Sequence, residues 1–146
     1  MNNTKTTTAK RLLAVVLSLF MLVVCVSCGE KVDAEGLWAN ATYLSDTTLG
    51  EGSKTIAVEV KAEEKSVTFT VKTDAETVGA ALLENNLIAG DEGEYGLYVK
   101  VVNGITADYD VDQSYWAFYL NGEYATSGVD TTAITEGAHY ELVYTK

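Results

Sequence analysis

The sequence predicts an α+β domain, a mixed sheet with one helix packed across one face, preceded by a signal peptide. Three observations carry this reading. Residues 55–62 and 65–73 alternate apolar and polar at period 2, and the stripe Val78, Ala81, Leu82 and Asn85 then switches to helical spacing. The run Tyr115 to Tyr124 joins a dense aromatic strand to Asn121-Gly122, the strongest short-range hairpin signal a chain can carry.

The chain opens with Lys5, Lys10 and Arg11, followed by an apolar run from Leu12 to Val26 that no acidic residue interrupts. At about 15 residues this run is short for a membrane span and has the layout of a secretory signal. It ends in Cys25-Val26-Ser27-Cys28, where a small residue before a cysteine resembles the lipobox of bacterial lipoproteins. That resemblance implies cleavage after residue 27 and acylation of Cys28, with Cys25 standing where an aliphatic residue is usual. Residues 28–36 then read as a flexible tether and 37–146 as the folded domain. Acyl chains on Cys28 hold the protein at a membrane surface without spanning it, since each buried methylene contributes about 0.8 kcal/mol.

Loss of the three basic signal residues takes the formal net charge from −11 to −14 and leaves no arginine. Such a surface repels phosphate backbones, which excludes nucleic acid and leaves neutral, cationic or cation-bridged partners. With Cys28 acylated, no thiol remains for a disulfide, a nucleophile or a soft metal.

Along the domain, Leu37 to Tyr43 reads as a first, edge-like strand, and Asp46 to Ser53 as a loop containing Gly50 and Gly52. If Glu63-Glu64 connects the two alternating runs, Val60 meets Val67, Val58 meets Phe69 and Ile56 meets Val71, so one register places every large apolar residue on one face. Asp74 or Thr77 caps the helix that follows. Ala89 to Gly96, with Asp91, Glu92 and Glu94, reads as a solvated acidic loop. Leu97 to Val102 is a strand closed by Asn103-Gly104, and Ile105 to Ser114 is a loop. The hairpin then places Leu120 opposite Glu123, Tyr119 opposite Tyr124 and Phe118 opposite Ala125. Trp116, Phe118 and Leu120 share the core face, while Tyr115, Tyr119 and Tyr124 share the other. Tyr140 to Tyr144 forms the last strand. Two strands, a helix and four further strands suit a β-grasp-like architecture.

Enzymatic constellations do not assemble. His139 is the single imidazole, no nucleophile elbow or phosphate-cradling loop is present, and a zinc cluster cannot be built on one histidine. His139 reads as a solvent-facing or edge residue on its strand. Asp108 to Asp112 begins like a calcium loop, but Gln113 stands where glycine is required and Tyr119 where the bidentate glutamate is required. The reading is therefore of a binding module, with no catalytic residue, no metal ligand and no required cofactor.

Four segments resemble one family: Thr77 to Leu83 opening the helix, Val101 to Ile105 ending a strand, Tyr115 to Tyr124, and the stretch Ile134 to Tyr144. Together, over about Thr55 to Thr145, they resemble the bacterial DUF4430 family, which is similar to the C-terminal domain of transcobalamin and intrinsic factor. That resemblance implies a corrinoid ligand with the hairpin as one wall of its site. Tyr115, Trp116, Tyr119 and Tyr124 would supply ring surface, and Asn121 and the backbone at Gly122 would supply hydrogen bonds. The large helical barrel that completes the vertebrate site has no counterpart here. A lipid-anchored extracytoplasmic module for a cell-surface, polymer or other ligand is therefore the first expectation, and a corrinoid-binding lipoprotein the second.

Overall fold

The computed structural model describes residues 34–146. The signal segment, Cys28 and the first residues of the tether lie outside the described residues. Among the described residues no helix is long and apolar enough to cross a membrane.

The two alternating runs form the expected hairpin, β2 (Lys54–Ala62) and β3 (Lys65–Thr73), following a short β1 (Thr47–Leu49). Val60 pairs with Val67, Val58 with Phe69 and Ile56 with Val71. All six are buried. Glu63 makes the reversal with a positive φ of 55°. The two N-cap candidates divide the work. Thr77 caps α1 (Val78–Glu84), its hydroxyl accepting from the Ala80 N–H at 3.3 Å. Asp74 instead accepts from the backbone N–H and hydroxyl of Ser53, tying the start of β2 to the end of β3. Helix α1 buries Val78, Ala81 and Leu82.

Strands β4 (Ile88–Gly93), β5 (Gly96–Val102) and β6 (Ile105–Thr106) make a separate three-stranded sheet, so the fold is α+β with two sheets where the sequence suggested one. A short helix, α2 (Tyr109–Asp112), leads to β7 (Tyr115–Leu120), β8 (Glu123–Tyr124) and β9 (His139–Thr145). The larger sheet runs β1-β3-β2-β9-β7-β8. Its centre is a parallel pair, β2 with β9, in which Val58 lies beside Tyr140 and Val60 beside Leu142. These residues, with Phe118 stacked on Tyr140 at 6.0 Å between ring centroids, make the core face.

Four segment readings are corrected. The expected loop at Ile105 to Ser114 contains β6 and α2. Leu37 to Tyr43 is not a strand. Gly36–Asn40 forms a 3-10 turn that drives Trp38 into the core at 1% exposure, where its Nε1 donates to the Ala62 carbonyl at 2.9 Å. The loop at Asp46 to Ser53 contains β1, which pairs in parallel with β3 and is only three residues long, too short to show a period. The acidic loop at Ala89 to Gly96 is largely β4. Its residues beyond Ile88 are exposed, so no apolar alternation marks it. The register shifts between Ala89 and Gly90, where a side chain would collide with the Tyr98 carbonyl.

Asn103 is a buried residue that the sequence reading took for an ordinary turn position. Its carboxamide donates to the Tyr43 carbonyl and accepts from the Tyr43 N–H, each at 2.9 Å, which clamps the N-terminal segment to the domain. Tyr43 in turn packs edge-on against Phe69. Because Trp38 fills the core beneath the end of β2, Trp38→Ala should lower stability by about 3 to 5 kcal/mol in denaturant unfolding. A loss near zero would place Trp38 outside the cooperative core.

Candidate functional site

The aromatic hairpin adopts the expected geometry. Asn121 and Gly122 take φ of 48° and 84°, as a type I′ turn requires, with Leu120 opposite Glu123 and Tyr119 opposite Tyr124. The Ala125 N–H donates to the Phe118 carbonyl at 2.9 Å. The two predicted faces are present. Trp116 and Phe118 are buried and Leu120 is partly buried, while Tyr124 is 61% exposed and packs edge-on with Tyr119 at 5.3 Å. Tyr115 is half-buried and stands beside Thr145.

Trp116 must be withdrawn as ring surface for a ligand. It is 7% exposed and lies edge-on against Tyr144, 5.6 Å between centroids, with no face open to a partner. Gly122 has open space around it. Beside the turn, Leu120, Asn121, Glu123, Tyr124, Ala125 and Thr126 line a hollow of about 480 Å³ that opens to solvent. Leu120, Glu123, Ala125 and Thr126 are its additional members. Nothing in the spacing of the last three set them apart, because β8 is only two residues long.

Asn121 does more than permit the turn. Its backbone N–H donates to the His139 carbonyl at 2.7 Å, and its side-chain oxygen accepts from the His139 N–H at 3.1 Å. The turn is thereby pinned to the start of β9, and His139 is held in place. This contact reveals what sequence reasoning missed. Cross-strand registers align Thr68, Glu59, Glu141, Tyr119 and Tyr124 in one row across the sheet, on the face opposite the core. His139, two residues before Glu141, shares that face.

The row concentrates charge. His139 Nε2 lies 3.1 Å from Glu59 Oε2 and 3.7 Å from Glu141 Oε1, and Lys61 Nζ lies 2.8 Å from Glu141 Oε2 and 3.6 Å from Glu59 Oε2. Glu59 and Glu141 expose only 19% and 16% of their side chains. The Glu141 hydrogen bond, aided by the charges of both carboxylates, raises the Lys61 pKa above its ordinary 10.5 although burial opposes the rise. In the calcium-like segment, Asp108 caps α2 and Asp112 accepts from Ser114 and pairs with Lys146, while Lys100 bridges Asp108 to Asp91 of β4.

A raised lysine pKa means that the ion pair stabilises the fold fully below pH 10.5 and that the contribution is lost as pH rises through the raised value. Lys61→Met should therefore cost stability at pH 8, and the gap from wild type should close in urea unfolding as pH rises through the raised lysine value. A gap independent of pH would remove the ion pair from the account. On the same hairpin, Tyr124→Ala should change stability by no more than about 0.5 kcal/mol. Trp116→Ala should cost about 3 to 5 kcal/mol, and equal effects would contradict the division into core and open faces.

Residues 75–146 match the family model described as DUF4430, a domain of unknown function. The match begins later than the Thr55 expected from sequence, so Glu59 and Lys61 precede it while His139 and Glu141 fall within it. A protein from Ruminococcus gnavus ATCC 29149, described as a candidate metal binding protein, is 34% identical and superposes with a TM-score of 0.61 over 64% of this chain and 98% of its own. Haptocorrin in complex with Cbi is 19% identical, with a TM-score of 0.52 over 67% of this chain, which is a likeness of fold alone. The chain spans 26% of haptocorrin's length. No curated protein matches it in sequence.

Proposed function

The chain belongs through residues 75–146 to the DUF4430 family, and on that premise we propose that it is an extracytoplasmic binding module, lipid-anchored at Cys28 and without catalytic activity. The order β3-β2-β9-β7-β8, with β2 and β9 parallel at the centre, supports a β-grasp reading of its scaffold. The observation that carries the binding role is the Tyr119 and Tyr124 pair, standing on an open sheet face beside a hollow open to solvent. An exposed ring of this kind is apolar in body and polar at its tip, and serves recognition better than packing. His139 contacts two carboxylates rather than a hydroxyl nucleophile, which supports a role without catalysis.

The acidic, arginine-free exterior favours a neutral or cationic ligand at the cell surface, such as an uncharged polymer. In retention assays on cell-wall polymer fractions, the wild-type protein should hold a fraction that Tyr119→Ala and Tyr124→Ala release. Equal retention by the double variant would move the site off the hairpin. For the anchor, Cys28→Ala should shift the protein from the membrane fraction to the soluble fraction, and continued membrane retention would count against acylation there.

A corrinoid ligand is the second reading, favoured by the fold likeness to haptocorrin in complex with Cbi. With Trp116 buried, the wall consists of Tyr119 and Tyr124 flanked by Tyr115, and two open rings without enclosure give weak affinity, each ring contributing on the order of 1.5 to 3 kcal/mol before ordering costs. Titration with cobalamin and cobinamide should therefore be read in the corrin absorbance, because Trp38 and Trp116 are both shielded from a surface ligand. An absorbance unchanged at millimolar ligand would dispose of this reading.

A further inference from the structure

We propose that Glu59, His139 and Glu141 bind one divalent transition-metal ion on the open face of the six-stranded sheet, displacing the Lys61 ammonium. The assignment stands independently of what the tyrosine pair holds. Glu59 and Glu141 are direct partners on the parallel strands β2 and β9, and their ligating oxygens lie with His139 Nε2 inside a span of 4.8 Å. An ion that bonds each ligand at about 2.1 Å holds its ligand atoms roughly 3.0 to 3.4 Å apart, whether octahedral or tetrahedral. The observed separations of 3.1 and 3.7 Å from Nε2 are already close to that spacing.

Charge points the same way. Like charges directly opposite one another on neighbouring strands are destabilising, and these two carboxylates are also four-fifths shielded from water. Among the described residues, Lys61 is the one ammonium within 4 Å of them, so with a neutral imidazole the cluster keeps a net negative charge. A divalent ion would cancel it. Lys61 is 38% exposed on a flexible stem and can swing into water at little cost. The imidazole favours zinc-like ions over calcium or magnesium, which prefer all-oxygen shells. Three protein ligands leave at least one coordination position free. Asn121 holds the backbone of His139 and acts as a positioning residue, so the hairpin turn and the metal ligand are mechanically joined.

His139 is the single histidine of the chain, so its ring resonances report this site alone. In the full-length protein in detergent, one equivalent of Zn²⁺ should shift the His139 imidazole signals, and calorimetry should give one ion per chain. Glu59→Gln and Glu141→Gln should each weaken binding by at least about tenfold. Lys61→Met should tighten it at the same stoichiometry. Mg²⁺ in place of Zn²⁺ should leave the imidazole signals where they were. Signals that do not move at saturating Zn²⁺ would overturn the proposal without recourse to any variant. So would an affinity unchanged by both glutamine substitutions, a Lys61→Met variant that binds more weakly, or an equal response to Mg²⁺.

Discussion

The parallel pairing of β2 with β9 is the constraint on which the rest of this structure depends. It joins positions such as Glu59 and His139, 80 residues apart, and sits at the centre of the larger sheet with the β2/β3 hairpin on one side and the aromatic hairpin on the other. Its register sets the two faces of the sheet at once. Val58 with Tyr140 and Val60 with Leu142 go to the core, while Glu59 with Glu141 goes to the open face. A slip of β9 by one residue would bury Glu141 and expose Tyr140 and Leu142, so the apolar face enforces the register that assembles the polar one.

The open face is where stability and recognition pull in different directions. Two largely shielded glutamates side by side weaken the sheet, and Lys61 and His139 offset that cost through contacts of 2.8 and 3.1 Å. Lys61 stays protonated there because the charged form gains a hydrogen bond and two nearby carboxylates, which outweighs its partial desolvation. An apolar or neutral pair at these positions would make a quieter sheet. The same row continues into Tyr119 and Tyr124, so a charged cluster and an aromatic pair form one surface.

What was legible in the sequence follows how far apart the interacting residues lie. The β2/β3 hairpin and the turn at Asn121-Gly122 could be read to the register because their partners are neighbours in the chain and only a few alignments bury the apolar side chains. Trp38 misled, since a tryptophan among small residues looks like a strand position until the buried Ala62 carbonyl that accepts its Nε1–H is in view. Strand β4 was invisible for the opposite reason. It is exposed beyond Ile88 and carries no pattern, and its partner β5 alone makes it a strand. In the candidate site, Tyr119, Tyr124 and Asn121 were identifiable from the hairpin. Glu59 and Lys61 were not, because alternating charges on a strand look like an ordinary solvated face.

Local chemistry in the sequence was enough to determine the hairpins, the helix at Val78, the division of the aromatics into core and open sets, and the strongly acidic surface. Each of these rests on side-chain period, turn conformation or charge count, which act over a few residues or over the whole composition. Tertiary structure alone decided that Asn121 grips His139 and that Glu59, Lys61, His139 and Glu141 meet. Those outcomes require β9 to lie against β2, and the choice of that partner is set by the shape of the whole core rather than by any short stretch of chain.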